Sequence, residues 1–519
     1  MLAGEKPARP ARDYYLGVHG SDTNPGTRAR PWRSIARVNR ARFAPGDRIL
    51  LRAGEAFTGN LVLDSRSVST AARPITVGSW GGGRALVEAG EGSGIAVHNI
   101  GGVVVRDLVV AGSGGARNRG GGVVVLNDLP GDRKLAFIRI ENVEARGFLH
   151  AGIYVGGPSG PWSPAHSARG QPGFRDVRIS RVVAHDNVYI GIHVGGRWDS
   201  GYGNQDVTIA DSAAYDNAGD PGYRASHSGN GILLSDTDGG TIERSVAFHN
   251  GARNGSRGGG PVGIWAHDAN RVTIRSCLSF DNRTPGASDG GGFDFDGGVS
   301  NSTLEYNYSS GNDGPGFLVW NYPEAPHALE NNTIRYNVSL GDGQRNSYGG
   351  IHIGSAGEAV RNIEVHHNTV VRRFPPGGRP KPLWVGGGTT GIHVWNNLLV
   401  AAGDAPVIEL AGGAVGVVFE GNVYLSAGRP FMVLDHGRAA PDLAALFALA
   451  RELPGLLGAG ATAGCVPDPG ALARYWAKVG QTPSSARDPL AALLRSLSIF
   501  AQDRALPRSA SGGEGSEAR

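Results

Sequence analysis

The sequence predicts an all-β fold, a single-stranded right-handed parallel β-helix, and three observations predict it. The 519 residues include 84 glycines without a three-residue period, which excludes collagen, and 40% of the residues are hydrophobic. A motif of glycine, apolar, any residue, apolar starts at Gly152 and recurs at 191, 231, 263, 292, 316 and 350. An asparagine that follows a short strand alternates with this motif, at 187, 217, 250, 282, 312, 368 and 397. No such unit buries its apolar side chains without neighbours, so the repeats predict a solenoid.

The repeat length favours the β-helix among solenoids. Successive glycine motifs start 39, 40, 32, 29, 24 and 34 residues apart, and the shortest interval is close to a minimal β-helix turn. We expect the asparagines to stack at one corner, where their amides bond to the backbone of the next turn. They are therefore interpreted as a structural ladder and not as a functional site.

The ends of the chain predict caps. Residues 13–60 are interpreted as an N-terminal cap with the first strand, in which Ser34 caps a short helix, IARVNRAR, and residues 45–47 turn into the strand RILLRAG. The β-helix itself is expected over 61–430, with early strands near 75–78, 85–88, 103–110 and 122–126. Helical apolar spacing at 441–457, 470–480 and 488–500 predicts a C-terminal helical cap over 431–506 that covers the open edge. Residues 507–519 are expected to be a disordered tail.

Composition excludes several classes. The net charge is +4 and the basic residues are almost all arginine, without a basic run, so no nucleic-acid partner is expected. No run of 18 apolar residues exists, so no membrane span is expected. Cys277 and Cys465 are too few for a disulfide framework or a zinc site, and Cys277 is predicted to be a small buried hydrophobe. The first residues lack the apolar core of a signal peptide, which indicates a cytoplasmic chain or one whose leader is absent.

A family resemblance follows from these repeats together with YYLGVHGSDTNPGTRARPWRSI at 14–35 and APGDRILLRAGEAF at 44–57. Over about residues 13–430 the chain resembles secreted right-handed β-helix proteins of the pectate-lyase-like superfamily, which includes polysaccharide lyases, glycoside hydrolases and uronate epimerases. The resemblance implies a secreted, extracellular protein that acts on a polysaccharide or oligosaccharide. It does not imply one reaction, because one fold hosts many chemistries. The predicted caps argue against an open trimeric spike, and a monomer is expected.

The glycine motifs predict which side chains point outward from the solenoid. Because side chains alternate along a strand, the two apolar positions point inward and two columns point outward, with about 4.8 Å between rungs. The first column is Tyr154, His193, Leu233, Trp265, Asp294, Leu318 and His352, and the second is Gly156, Gly195, Ser235, His267, Asp296, Trp320 and Gly354. Insertions before and after these strands predict walls on both sides of the face. Exposed tryptophans beside carboxylates are typical of sugar-binding clefts.

The centre of these columns carries the predicted chemistry. Asp294 is expected to be the general acid, because its apolar neighbours raise a carboxyl pKa, and Asp296 the base, because an imidazolium at His267 lowers it. About 6.6 Å between them would match the short end of the inverting-glycosidase range, roughly 6.5–9.5 Å. His352 is a further supporting polar group, and Asp289 in the preceding loop completes a carboxylate triad.

Other residues are assigned to substrate or to turns. Trp265 and Trp320 are predicted sugar platforms, and the further predicted substrate contacts are His193, Tyr154, Arg197, Trp198, Arg345 and Asn321. Asp236, Asp238 and Asp268 follow their strands and are expected to stabilise the next corner.

A glycoside hydrolase is therefore the predicted function, with alternatives left open. No cofactor is required, although Asp289, Asp294 and Asp296 are also a possible calcium site. A polysaccharide lyase would need a cation and a base, for which Lys381, His352, His193 or Arg345 are available. A uronate C5-epimerase needs a similar set, but its Asp-Pro-His motif is absent, and the polygalacturonase set is only echoed by FDFD at 293–296 and GGIHIGS at 349–355. A noncatalytic carbohydrate-binding solenoid is the remaining alternative.

Overall fold

The chain folds as an all-β parallel solenoid made of three long sheets. The structure, a computed structural model, describes residues 9–162, 170–199, 201–286, 288–372, 380–402, 405–427, 433–435 and 438–440. Each turn of the chain adds one strand to each sheet in the same order, and strands on successive turns pair in parallel. The predicted fold class is confirmed for this part of the chain.

The first sheet begins at the N-terminal end, and its strands are numbered along the chain with those of the other sheets. Its members are β1 (Asp13–Leu16), β2 (Arg48–Arg52), β5 (Ile75–Trp80), the first parts of β8 (Val103–Gly112) and β10 (Lys134–Arg146), β12 (Gly173–Ser180), β15 (Asn204–Ala210), the second parts of β17 (Asn230–Glu243) and β19 (Val262–Arg275), β22 (Thr303–Glu305), β25 (Leu329–Arg335), β28 (Val360–His366), β31 (Thr389–Trp395) and β34 (Val418–Glu420).

The second sheet consists mostly of three-residue strands. Its members are β3 (Ala56–Thr58), β6 (Ala85–Gly90), the second parts of β8 and β10, β13 (Val183–His185), β16 (Ala213–Tyr215), β18 (Val246–Phe248), β20 (Leu278–Phe280), β23 (Tyr308–Ser310), β26 (Val338–Leu340), β29 (Thr369–Val371), β32 (Leu398–Ala402) and β35 (Val423–Ala427).

The third sheet contains the glycine motifs. Its members are β4 (Leu61–Leu63), β7 (Ile95–His98), β9 (Val123–Leu126), β11 (Ala151–Gly156), β14 (Ile190–Gly195), the first parts of β17 and β19, β21 (Gly291–Asp296), β24 (Phe317–Asn321), β27 (Ile351–Ser355), β30 (Leu383–Val385), β33 (Ile408–Leu410) and β36 (Val433–Asp435). A last strand, β37 (Arg438–Ala440), pairs antiparallel with β36.

The solenoid interior is filled by the inward apolar positions of all three sheets. One continuous core extends from Leu16 to Tyr424. Within it Phe293 and Phe317 stack on successive turns, with 5.2 Å between ring centroids. Cys277 is a buried free thiol, as the apolar run around it predicted.

The N-terminal region contains the predicted helix, in a shorter form. Helix α1 (Ile35–Asn39) begins after Ser34, whose hydroxyl accepts a hydrogen bond from the Arg37 amide, and it ends three residues before the predicted stretch does. Ile35 and Val38 bury its inner face. A single 3₁₀ turn, Gly160–Trp162, is the other helical element in the described residues.

The asparagines form two ladders, so the expectation of a single corner is wrong. Between the second and third sheets, the amide of Asn187 donates to Asn217 at 3.2 Å, and the chain of bonds continues through 250, 282 and 312 to Asp342. Asn368 and Asn397 belong instead to a ladder between the first and second sheets, which joins residues 307, 337, 368, 397 and 422. At both corners an asparagine follows a strand, so the sequence pattern alone does not distinguish the two ladders.

The predicted C-terminal helices, residues 441–506, and the tail at 507–519 lie outside the described residues. In the part of the chain that the structure describes, no helix has the length and apolarity needed to span a bilayer.

Candidate functional site

The strand register of the third sheet reproduces both predicted columns. Tyr154 pairs with His193 and Leu233 with Trp265, which pairs with Asp294 on the next turn. The second column runs from His267 to Asp296 and then to Trp320 and Gly354. The alternation of inward apolar residues therefore predicted the pairing correctly.

The first column is buried except for the half-buried His193, although the sequence predicted an exposed face. Tyr154 is fully buried against Trp162, and its hydroxyl donates to the Gly157 carbonyl. Trp265 is 3% exposed and packs on Leu233. The insertions fold over this column, so Trp265 is not an open sugar platform and Tyr154 is not an exposed substrate contact.

Three carboxyl groups meet at the centre of the sheet. Asp294 and Asp296 lie on β21, and Asp289 precedes the strand in a left-handed conformation with φ +51°. The Asp289 carboxylate accepts hydrogen bonds from the Gly260 amide at 2.6 Å and the Tyr348 hydroxyl at 3.2 Å. Asp296 is half-buried and accepts from the Gly297 amide at 2.9 Å, whereas Asp294 is 2% exposed and its Oδ1 has no partner.

Burial raises all three carboxyl pKa values, and the charges of neighbouring carboxylates raise those of Asp294 and Asp296 further. Burial raises the pKa of Asp289 to about 6, and burial with the charge of Asp289 raises that of Asp296 to about 8. The pKa of Asp294 rises well above its ordinary value because of burial and both neighbouring carboxylates. In the described residues, no arginine or lysine contributes to the pKa shifts of these three carboxyl groups.

The predicted effect of His267 is wrong. Burial lowers the pKa of His267 to about 4, so the imidazole is uncharged at neutral pH and does not favour the Asp296 carboxylate. Its Nε2 lies 2.5 Å from the hydroxyl of Tyr322, whose own pKa is raised by burial and then by Asp296. Trp198, 55% exposed, lies beside both rings at centroid distances of 5.5 and 5.4 Å.

A second aromatic group lies on the following turns. His352 stacks on Trp384 with 4.0 Å between centroids, and Tyr348 meets its ring edge-on at 4.9 Å. Burial lowers the pKa of His352 to about 3. Trp320 is half-buried and lies 5.9 Å from His352, next to Asp296 in the register.

The other predicted contacts divide into near and distant residues. His193 is half-buried and lies 3.3 Å from the Ser235 hydroxyl, with its pKa lowered by burial to about 3. Arg197 donates its backbone N–H to Asp236 in the same wall loop that carries Trp198. Arg345 is exposed beside Asp313. Asn321 is fully buried and bonds to the Ala359 carbonyl, which excludes it as a substrate contact.

Asp236 and Asp268 lie at turns as predicted, whereas Asp238 lies in the strand ladder of the first sheet. Asp236 and Asp268 both adopt left-handed φ values, 50° and 46°. Asp236 accepts from the Gly203 amide at 2.8 Å, and Asp268 bonds to His327 at 2.5 Å. Asp238 pairs with Arg271.

Four residues of the site were not predicted. Tyr322, Tyr348 and His227 come from wall loops, and His227 packs against Trp265 at 5.3 Å. Loop residues carry no period that would reveal them. Trp384 was detectable, because it continues the first column after His352, but its strand lacks the glycine that opens the motif.

In the described residues, no group of three or more His, Cys, Asp or Glu side chains is arranged to hold a metal ion.

Comparison with known proteins identifies the family. A family model described as "Right handed beta helix region" matches residues 91–399, more than half of the chain. The chain belongs to this right-handed β-helix family. No curated protein matches it.

Solved right-handed β-helices resemble the chain in fold. The selenomethionine form of the GH136 lacto-N-biosidase from Eubacterium ramulus aligns with a TM-score of 0.51 and 18% identity over 80% of this chain and 68% of that one. The native form gives a TM-score of 0.48 and 19% identity over 70% of this chain. The present chain spans only 64% of the length of that protein. The A-module of the mannuronan C-5 epimerase AlgE6 from Azotobacter vinelandii gives 0.45 and 15% identity over 75% of this chain and 87% of that module. At these identities the likeness is one of fold.

Proposed function

We propose that the chain is a carbohydrate-active enzyme, a glycoside hydrolase that cleaves a neutral glycan over the third sheet. The observation that carries this proposal is the carboxyl triad, in which the pKa of Asp289 is about 6 and that of Asp296 about 8. At pH 7 one group is mostly ionised while another is mostly protonated. A glycosidase needs this combination of one base or nucleophile and one acid.

The proposed roles follow from exposure. Asp296 is half-buried and protonated, so it is the proposed proton donor to the glycosidic oxygen. Asp289, fixed by Gly260 and Tyr348, is the proposed ionised partner. Asp294 is too deeply buried to be the acid that the sequence predicted, and burial together with the charges of Asp296 and Asp289 keeps it protonated.

The substrate class follows from charge. A uronate polymer would bring further carboxylates to a group of three aspartates that no arginine or lysine of the described residues offsets. A neutral sugar avoids that repulsion, and its C–H face can pack on Trp198 or Trp320. The GH136 lacto-N-biosidase shows that this fold carries glycosidase chemistry in another protein.

One observation favours elimination or epimerisation instead. The Tyr322 hydroxyl and the uncharged His267 form a hydrogen-bonded pair near Asp296, and such a pair can remove and return a proton beside a carboxylate. A lyase or C5-epimerase is therefore the second candidate.

A product assay separates the candidates. The protein would be incubated with neutral oligosaccharides and with uronate polymers, and products followed by new reducing ends, by the absorbance of unsaturated uronate, and by proton exchange at C5. New reducing ends from neutral substrates alone would support the proposal. Unsaturated uronate would support a lyase, and C5 exchange without cleavage an epimerase. Binding without any product would indicate a noncatalytic module and overturn the proposal.

A further inference from the structure

A cleft of about 400 Å³ opens on the outer face of the first sheet, near the N-terminal end. It lies over β2, β5 and the start of β8, whereas the carboxyl triad lies on the third sheet. Five strand steps, roughly 24 Å along the solenoid, separate β8 from the turn that holds Trp265. The cleft is therefore separate from the candidate active site, and its volume falls within the roughly 300–1,000 Å³ of small-molecule sites.

The lining of the cleft is mostly polar, and Leu50 is its aliphatic side chain. Leu50 and Gly78 pair in the register at its centre, and Leu50 is buried although it points outward. Gly78 leaves room for the Arg106 side chain, because a Cβ there would lie 3.3 Å from Arg106 Cγ. The rings of Tyr15 and Trp80 form one side, edge to face at 5.4 Å.

Arginines line this cleft. Arg48 is held by two hydrogen bonds of 2.6 Å to Asp13, so its charge is largely balanced. Arg106 approaches Asp107 only at 3.4 Å and is exposed. Arg28 is exposed, lies 5.5 Å from the Trp80 ring, and makes no ion pair within the described part of the chain. The cleft therefore offers guanidinium groups beside an aromatic plane.

We infer that this cleft is a binding site for an acidic sugar residue, a hexuronate within a glycan chain. The Arg52 guanidinium also lies 5.5 Å from the centroid of the Trp80 ring, and the C–H face of the pyranose would take its place on that ring. The carboxylate of the sugar would take paired hydrogen bonds from Arg28 and Arg106. Guanidinium groups suit carboxylates because their donors form a planar fork. The inference does not depend on the reaction at the third sheet, since the two sites share no residue.

Saturation-transfer NMR with D-glucuronate on the full chain tests this inference. We expect binding in the millimolar range that weakens as salt rises, and about a tenfold loss of affinity in Arg28→Ala and in Arg106→Ala, since each removes a charge-assisted bond. Arg361→Ala is the matched control, an exposed arginine on the outer face of the same sheet, and should bind as wild type. Thermal unfolding of each variant would establish that it is folded.

Competing ligands decide what the cleft recognises. Methyl glucoside should bind at least tenfold more weakly than glucuronate, and acetate or inorganic phosphate should displace glucuronate only at much higher concentration. If methyl glucoside bound as tightly as glucuronate, the cleft would not recognise the negative charge. If acetate or phosphate displaced glucuronate at similar concentrations, the cleft would not recognise the sugar ring. Either of these results would overturn the inference. So would the absence of glucuronate binding, or wild-type affinity in both arginine variants. Activity on neutral glycans would be unaffected by any of these outcomes, so the proposed hydrolase is tested separately.

Discussion

At the scale of single residues, the three carboxyl groups of the triad differ in how the fold holds them. Asp289 is stabilised as a carboxylate by an amide and a phenol, Asp296 by one amide, and Asp294 has an oxygen without a partner. The pKa of Asp296, about 8, exceeds that of Asp289, about 6, because the charge of Asp289 raises it and because Asp296 accepts fewer hydrogen bonds. The sequence placed the three aspartates together, but it could not give this order, because the bonds come from Gly260 and Tyr348, which are distant in the chain.

Replacement of Asp296 tests its role as the acid. Asp296→Asn is isosteric and removes the transferable proton, so kcat on a neutral substrate should fall by about 10²–10⁴. Substrate affinity and thermal stability should be retained, because the amide replaces a group that is mostly uncharged at neutral pH. More than a tenth of wild-type kcat in this variant would contradict the assignment.

Replacement of Tyr348 tests Asp289 through the pH profile. Activity should be bell-shaped, with an acid limb near pH 6 from Asp289 and an alkaline limb near pH 8 from Asp296. The Tyr348 hydroxyl lowers the pKa of Asp289, so Tyr348→Phe should move the acid limb upward by about 0.7 units, while the alkaline limb stays. An unchanged acid limb would show that Asp289 does not titrate in the reaction.

At the scale of elements, the corners of the solenoid depend on buried amides. The side chain of Asn250 accepts from Asn217 at 2.9 Å and donates both to Asn282 and to the Ala214 carbonyl at 3.0 Å. Every hydrogen-bonding site of this amide faces a partner on a neighbouring turn. The ladder therefore joins the turns that carry the wall loops.

Asn250→Ala should be strongly destabilising. The substitution leaves buried donors and acceptors on both adjacent turns without partners, at about 1–3 kcal/mol of unfolding free energy. The control is Gln205→Ala, because that amide lies on the first sheet without a side-chain hydrogen bond in the described residues. Chemical denaturation measures both variants, and equal losses would show that the ladder contributes no specific stability.

At the scale of the whole molecule, the buried acidic groups make stability depend on pH. The folded-state pKa values of Asp296 and Asp236 are about 8 and those of Asp289 and Asp268 about 6, all above the ordinary 3.8. Below about pH 7 the histidines whose pKa is lowered by burial, such as His267 and His352, oppose this effect because they bind fewer protons in the folded chain. Between about pH 7 and pH 9 the carboxyl groups of Asp296 and Asp236 dominate, so the folded chain binds more protons than the unfolded chain. The unfolding free energy must fall as the pH rises through this range.

We expect the melting temperature of the wild type to decrease from about pH 7 to pH 9. The double variant Asp294→Asn, Asp296→Asn should have a shallower decrease, because two of the groups that resist ionisation are absent. Asp211→Asn, at an exposed carboxylate paired with Arg244, should keep the wild-type slope. Identical slopes in all three proteins would contradict the raised pKa values.

The sequence by itself determined the solenoid, its strand register and the position of Asp296 between His267 and Trp320. These features follow from a two-residue alternation repeated on every turn, which is local and visible in one chain. Only the tertiary structure decided which of these residues are buried, that His267 is uncharged, and that Tyr322 and Tyr348 join the site. Those properties arise where aperiodic loops from distant parts of the chain fold over the sheet, because burial and charge environment depend on which groups finally surround a side chain.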